Sequence, residues 1–282
     1  MNWVPLLFFD DVCHRLNKPT FSQVSQLSGS WASFGAEHGE KRRELQFQCG
    51  LNRSQEVSYS LCETNWGAYS VEDLNLEFDR ITYFECDSAR PIGHRVSLRE
   101  FERVVLPTIA PLVTNCRWPY LFPDSSDQNQ IFISAFKNCP GFNFISIQEQ
   151  VEESRVFVAR QVELGNVERL TLYGTGKRPE AENLAETLKI FVGSTRFYEL
   201  YTLDHLIDGY ELFELFLERA LASELKPGAC ISASGTNLDK NRLLALRPEC
   251  HDDSEKNAWR IPDSNLRIAL RHSASVLSVR VD

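Results

Sequence analysis

The sequence predicts an α/β fold, or an α+β fold by stricter counting. A small helical module of residues 1–44 should precede a strand–helix domain of residues 45–282. Three observations support this prediction. Apolar residues first recur at helical spacing, then segments that alternate apolar and polar residues follow, and in the second half a strand–helix pattern repeats at an interval of 30 residues.

The first helix is predicted to begin at Pro5, because proline suits a first helical turn, where its missing N–H leaves no bond unmade. Apolar residues then follow at offsets of three and four and form one stripe. The stripe consists of Leu6, Phe9, Val12, Cys13 and Leu16. Asn17 to Pro19 break the pattern, so the helix should end before them.

Two further short helices are predicted before residue 44. Thr20 can cap the second helix, and Ser28 to Ser30 separate it from the third. The apolar and aromatic residues are Phe21, Val24 and Leu27 in the second helix and Trp31, Phe34 and His38 in the third. The helical pattern ends after these residues, which places a domain boundary near residue 44.

Strands are predicted after this boundary. Leu45–Cys49 and Val57–Leu61 alternate apolar and polar residues, as the half-buried strands of a hairpin do, and Ile81–Cys86 is a third strand candidate. Ser97 and Glu100 then form a capping-box pair at the start of a helix. This helix should end near Pro107, and its inward-facing residues should be Leu98, Phe101, Val104 and Val105.

The second half of the chain repeats a strand followed by a helix. Val167–Tyr173 and Phe197–Leu203 are the strand candidates, and Leu200 follows Leu170 by 30 residues. The helices after them should bury Leu184, Leu188, Phe191 and Val192, and Leu212, Phe213, Phe216, Leu217 and Leu221. Further strands are predicted at Ala229–Ala233, Leu266–Leu270 and Val276–Val281, and a long polar loop at residues 248–264.

Charge and hydropathy exclude several classes of partner. The chain has 30 Lys and Arg against 39 Asp and Glu, a formal net charge of −9, which repels phosphate backbones and argues against nucleic acid. No apolar stretch approaches the ~20 residues that cross a bilayer. The apolar segment Val4–Phe9 lacks the basic flank of a signal peptide. We therefore expect a cytoplasmic or nuclear protein without a membrane partner.

Residues that could carry catalysis or hold a cofactor form no recognisable site. The eight cysteines are irregularly spaced without a Cys-x-x-Cys pair, which favours reduced, mostly buried thiols over disulfides or zinc. The six histidines lie outside the known hydrolase motifs, and Gly174–Lys177 lacks the Ser or Thr that completes a phosphate-binding loop. A protein without catalytic activity, metal or other cofactor is expected.

The N-terminal residues resemble an F-box, the three-helix module that docks onto Skp1-type adaptors in ubiquitin ligases. An F-box opens with Leu-Pro, continues with apolar anchors and closes with an apolar residue and a tryptophan. The matching residues are Val4, Pro5 and Leu6, then Phe9, Val12 and Leu16, and finally Leu27 and Trp31. Val4 departs from the pattern, because leucine is usual there.

The order of the two regions is similar to that in the divergent F-box families of nematodes. In those families a strand–helix region such as the FTH type follows the F-box, and Leu170–Leu217 is similar in style to it and to leucine-rich repeats. The resemblance implies a substrate-recognition adaptor of a Skp1–cullin–F-box ubiquitin ligase. Its N-terminal residues would hold a Skp1-like adaptor, and its repeat region would select an unknown protein target.

Two alternatives remain open on the sequence. A non-catalytic scaffold or regulatory protein with a decayed F-box predicts that the rest of the chain covers Phe9 and Val12. An enzyme of unrecognised type predicts a deep pocket with converging polar groups.

Overall fold

A computed structural model of the protein describes residues 6–16, 18–51, 56–63, 69–86, 93–118, 133–148, 152–173, 182–202, 210–234, 252–253, 258–260, 267–272 and 276–281. Helices and strands are mixed throughout, which confirms the predicted α/β class. The chain divides into two compact units, Met1–Phe142 and Asn143–Asp282. The boundary predicted near residue 44 falls inside the first of these units.

Three helices open the first unit, as predicted. They are α1 (Leu6–Arg15), α2 (Phe21–Val24) and α3 (Ser30–Lys41). The second helix is shorter than expected, so Leu27 lies beyond its end. Thr20 makes no capping hydrogen bond, because it belongs to a preceding 3₁₀ turn, Lys18–Thr20, and has helical backbone angles itself.

A sheet region of five strands follows in the same unit. Its strands are β1 (Glu44–Leu51), β2 (Glu56–Cys62), β3 (Arg80–Cys86), β4 (His94–Ser97) and β5 (Val113–Trp118). The predicted hairpin is confirmed, because β1 pairs antiparallel with β2. The order is β5-β3-β1-β2-β4, with β1, β3 and β5 parallel. Phe47 and Phe84 pack in its core with ring centroids 5.1 Å apart.

The helical segment after β4 is longer than predicted. It runs through an α-helix (Leu98–Glu100), a π-helix (Phe101–Val105), a second α-helix (Leu106–Ile109) and a 3₁₀ turn (Ala110–Leu112), which together form α4. The predicted capping box is confirmed in one half, since the Ser97 hydroxyl accepts a hydrogen bond from the Glu100 amide.

The predicted end of α4 at Pro107 is wrong. The Leu106 amide donates to the Phe101 carbonyl across the wider π turn, and Pro107 then occupies the first turn of the next α-helical stretch, where its missing N–H does no harm. The extra residue in the π turn also changes which side chains face inward. Phe101, Val105 and Leu106 are buried, whereas Val104, predicted to point inward, is exposed.

The second unit begins with four parallel strands that alternate with helices. The elements are β6 (Phe142–Gln148), α5 (Glu152–Glu163), β7 (Arg169–Tyr173), α6 (Glu182–Gly193), β8 (Glu199–Thr202), α7 (Glu211–Leu221) and β9 (Cys230–Ser234). Each strand pairs with the next one in the sequence. Leu170 lies opposite Leu200 in this register, so the 30-residue spacing is confirmed as one repeat of the array.

The residues predicted to form the inner faces of α6 and α7 are buried, apart from Leu221, which is half-buried at the last residue of its helix. A buried row also crosses the four parallel strands at Ile145, Leu170, Leu200 and Ile231. The hydrophobic core of the array therefore lies between this sheet face and the helices.

After β9 the repeat gives way to antiparallel pairing. The strands are β10 (Asp252–Asp253), β11 (Ala258–Arg260), β12 (Arg267–His272) and β13 (Val276–Val281), in the order β9-β13-β12-β11-β10. The strands predicted near the C-terminus are confirmed. The polar loop predicted over residues 248–264 is wrong in part, because β10 and β11 lie in it; short charged strands are common at the edge of a sheet.

Two further observations concern the described residues alone. No helix among them is long and apolar enough to cross a membrane. Cysteines present as free thiols include Cys13, Cys49 and Cys116, which are buried, and Cys62, Cys139 and Cys230, which are half-buried.

Candidate functional site

The predicted docking residues are not all on one accessible surface. Val4 and Pro5 lie outside the described residues, as does the side chain of Leu6 in α1. Phe9 is buried, with 4% of its surface exposed, and Leu27 is exposed to 53%. The half-buried members of the set are Val12, Leu16 and Trp31.

Phe9 and Trp31 are brought together by the packing of α1 against α3. Their ring centroids are 4.5 Å apart in an edge-to-face arrangement. On its other side the Phe9 ring stacks on Phe34 with an interplanar angle of 10°. Phe9 is therefore enclosed by the aromatic residues of α3 and stabilises the helical module from within.

Phe8 is the aromatic residue that α1 exposes. It is 49% exposed, and its ring meets Trp31 edge-to-face at a centroid distance of 6.3 Å. Trp31 thus contacts a buried ring and an exposed one, and Phe8 with Trp31 forms a surface that we call the aromatic patch. The sequence prediction missed Phe8. Its spacing of four residues from Val12 places both on one side of the helix and could have identified it.

The buried side chain of Arg42 fixes the end of α1. Only 2% of Arg42 is exposed, and its guanidinium donates to the carbonyls of Cys13 at 2.8 Å and Leu16 at 3.2 Å. These carbonyls belong to the last turn of α1 and the residue after it. The Cys13 carbonyl also accepts from the Leu16 amide at 3.2 Å, and the C-terminal end of a helix favours a cation. The Lys18 ammonium donates in turn to the Arg42 carbonyl at 3.0 Å.

His38 has a structural position beneath the same module. It is almost fully buried, its ring stacks on Phe21, and Phe78 packs edge-on at 5.2 Å. Its Nδ1 lies 3.2 Å from the Arg42 guanidinium. Because a guanidinium can only donate, Nδ1 must accept this bond and carries no proton. This agrees with the expectation of an ordinary structural histidine at this position.

The glycines of α3 allow α2 to lie close to it. A Cβ at Gly35 would lie 2.7 Å from the Ser25 amide nitrogen and 2.8 Å from a Val24 methyl group, whereas one at Gly39 would meet Phe21 at an ordinary 3.4 Å. Glycine at position 35 therefore lowers the helix propensity of α3 but allows α2 to pack closely against it.

Metal-ligating groups are not clustered in the part of the chain that the structure describes. No three His, Cys, Asp or Glu side chains within it are placed to hold a metal ion. Burial raises the pKa of the Cys116 thiol well above its ordinary value and raises the pKa of Cys139. Raised pKa values leave little thiolate at neutral pH, so neither thiol is an activated nucleophile. The glycine-rich segment Gly174–Lys177 lies outside the described residues.

The chain matches no model of a known protein family, no curated protein and no solved structure.

Proposed function

We propose that this protein is a non-catalytic adaptor that selects a protein target for a Skp1–cullin–F-box type ubiquitin ligase. The N-terminal helices would dock onto a Skp1-like adaptor, and other subunits would carry out ubiquitin transfer. The proposal places the protein in the cytoplasm or the nucleus. It needs no cofactor, nucleic acid or membrane.

The observation that supports it best is the aromatic patch. Phe8 and Trp31 come from two different helices and present adjacent rings, with Phe8 half exposed. Aromatic side chains in such positions contribute more binding energy than most residues of an interface. The three-helix order and the resemblance to the F-box pattern supply the expected class of partner.

The docking residues assigned from the sequence divide into two groups under this proposal. Trp31, Leu27 and Val12 retain exposed surface that a partner can cover. Phe9 supports the patch from below and does not itself reach a partner. Phe8 takes the position in the interface that the sequence pattern gave to Phe9.

The repeat array of the second unit is the proposed target-binding region. Its sheet face opposite the buried row carries half-exposed Thr171, Tyr173 and Tyr201 on neighbouring strands. Strand–helix arrays commonly bind partners on such a face, and tyrosine is enriched at protein interfaces.

A scaffold or regulatory protein without the docking function is the second candidate. Phe9 and Cys13, on the apolar stripe of α1, are covered by the protein itself, and Arg42 holds the end of that helix in place. This is the burial that a decayed F-box predicts for Phe9. Under this second candidate Phe8 would contact no other protein, whereas under the adaptor proposal Phe8 contacts the Skp1-like protein.

The test is co-purification of the full chain with a Skp1-like protein. Wild type should form a stoichiometric complex, and Phe8→Ala with Trp31→Ala should lose it. Ile190→Ala is the matched control, because Ile190 is an exposed helical residue of the second unit. Circular dichroism of the double variant should confirm that the fold survives. No complex with wild type, or an intact complex with the folded double variant, contradicts adaptor docking and favours the scaffold.

A further inference from the structure

An open cavity of about 550 Å³ lies beside α4 in the first unit. Its apolar wall includes Leu76, Val104, Pro107 and Pro111. Leu76 and Val104 are 60% and 50% exposed, so this wall is accessible to a ligand. We call it the α4 groove, and its volume is within the range of small-ligand and side-chain binding sites.

The π turn of α4 creates this apolar wall. It turns Val104 outward while Val105 and Leu106, which follow it, are buried. The next stretch then presents Pro107 and Pro111 on the surface. π turns cost helix stability and recur at functional sites, so an exposed valine beside one is a candidate for ligand contact.

Apart from Thr108, the polar residues that line the groove are basic. Arg80, Arg103 and His14 line it, and none of the described lining residues is Asp or Glu. On a chain with a net charge of −9 this is a local reversal of sign. The groove is therefore complementary to a negative group.

Arg103 is the cation that a ligand can use. The buried Arg80 directs its guanidinium at the carbonyls of Leu76 at 3.3 Å and Glu77 at 3.0 Å. Arg103 is exposed and makes no hydrogen bond or ion pair with any residue that the structure describes. A guanidinium offers paired donors that fit a carboxylate, so Arg103 would supply the charged contact and the apolar wall the rest.

We propose that the α4 groove binds a segment of a partner protein that carries aliphatic side chains next to a carboxylate. The carboxylate pairs with Arg103, and the aliphatic side chains pack on Leu76, Val104 and Pro107. This site goes beyond the adaptor proposal, because it uses neither Phe8 nor Trp31. It gives the protein a second interface of different chemistry, basic and aliphatic instead of aromatic.

The experiment is a selection from a random dodecapeptide phage library on the full chain, with the Arg103→Glu variant as the counter-selection. Enriched peptides should combine Asp or Glu with aliphatic residues. In fluorescence polarisation a selected peptide should bind Arg103→Glu at least about tenfold more weakly than wild type, as expected for loss of a charge-assisted contact. Val104→Asn should also weaken binding, because it places an amide on the apolar wall.

Two matched controls separate the site from general effects of charge and helix stability. Arg99→Glu makes the same charge change one turn earlier on α4, outside the groove, and Val156→Asn makes the same polar change at an exposed helical valine of the second unit. Both should bind like wild type.

The proposal is overturned if no peptide is enriched over Arg103→Glu, if the enriched peptides lack carboxylates, or if Arg99→Glu weakens binding as much as Arg103→Glu. Octanoate serves as a separate probe of a small-molecule site. Direct binding of octanoate to wild type but not to Arg103→Glu, measured by calorimetry when no acidic peptide binds, would assign the groove to a small carboxylate and also reject a peptide partner. Each result is independent of binding to a Skp1-like protein.

Discussion

The guanidinium of Arg42 donates a hydrogen bond to the main-chain carbonyl of Cys13 at 2.8 Å, across 29 residues of sequence. Both residues are buried. The bond ties the last turn of α1 to the residue that follows α3, so a single side chain closes the N-terminal module. The aromatic patch depends on this closure, because Phe8 is on α1 and Trp31 is on α3.

Replacement of Arg42 should therefore loosen the module. Arg42→Met keeps the length of the apolar stem but removes the guanidinium donor from the carbonyls of Cys13 and Leu16. One of these carbonyls is buried and the other half-buried, and that of Cys13 keeps the Leu16 amide, so the free energy of unfolding should fall by about 1 to 2 kcal/mol. Urea denaturation of the full chain measures this loss, and hydrogen exchange of the α1 amides should accelerate with it.

Lys41→Met is the matched control for this prediction. Lys41 is the preceding residue and its ammonium is solvent-exposed, although its pKa is raised by a hydrogen bond to Glu37. A surface pair of this kind contributes little to stability. An Arg42→Met protein as stable as Lys41→Met would show that the buried guanidinium does not hold α1.

The glycines of α3 should respond differently to alanine. At Gly35 the new Cβ would lie 2.7 Å from the backbone of Ser25, so α2 and α3 must separate, at a cost of roughly 1 to 3 kcal/mol. At Gly39 the nearest atom is at 3.4 Å, and alanine should instead stabilise the helix by up to about 1 kcal/mol. Relative to wild type, the urea midpoint should fall in Gly35→Ala and rise in Gly39→Ala. Equal midpoints in the two variants would contradict the proposed close packing of α2 on α3.

The sequence alone was sufficient to identify the repeat array. When successive strand–helix repeats have the same length, equivalent residues of neighbouring parallel strands lie side by side. Leu170 and Leu200 could therefore be paired from their spacing in the sequence alone. The buried faces of α6 and α7 also follow from helical periodicity, because each helix covers the sheet with one stripe. Local pattern and tertiary structure agree in this region.

The N-terminal surface and α4 could not be predicted as well. Either Phe8 or Phe9 could have faced α3, and only the positions of Trp31 and Phe34 decide that Phe9 is inside. Val104 was assigned to the core on a regular helical period, which the π turn breaks. Both errors come from tertiary contacts or backbone irregularities that a one-dimensional pattern does not contain.

The buried row of the array should dominate the stability of the second unit. Leu200 is fully buried between Leu170 and Ile231 on neighbouring strands. Leu200→Ala leaves a cavity in this row and should cost about 2 to 5 kcal/mol in the free energy of unfolding. Leu27→Ala makes the same change at an exposed leucine and should cost far less. If Leu200→Ala and Leu27→Ala had the same urea midpoint, the buried row at Leu200 would not be the core of the array.

The buried Cys116 thiol should be protected from alkylation and should make the fold sensitive to alkaline pH. Burial raises the pKa of Cys116, so at about pH 8 iodoacetamide should modify this thiol far more slowly than the half-buried Cys230, and equally fast in urea. An unfolded cysteine has a pKa of about 8.5, below that of the folded thiol. The folded state therefore keeps the thiol proton to a higher pH than the unfolded state does. The stability that this difference contributes is complete below about pH 8.5 and is lost as the pH rises from there towards the pKa of the folded thiol.

Cys116→Ala separates this effect from the titration of other groups. The variant removes the more strongly shifted thiol, so the fall in urea midpoint between neutral and alkaline pH should be smaller than in wild type. Cys230→Ala should leave the fall unchanged, because Cys230 is partly exposed on the sheet of the second unit. Native Cys116 that reacts as fast as Cys230, together with an unchanged pH dependence in Cys116→Ala, would mean that water reaches β5 and that the first unit is not closed around this thiol.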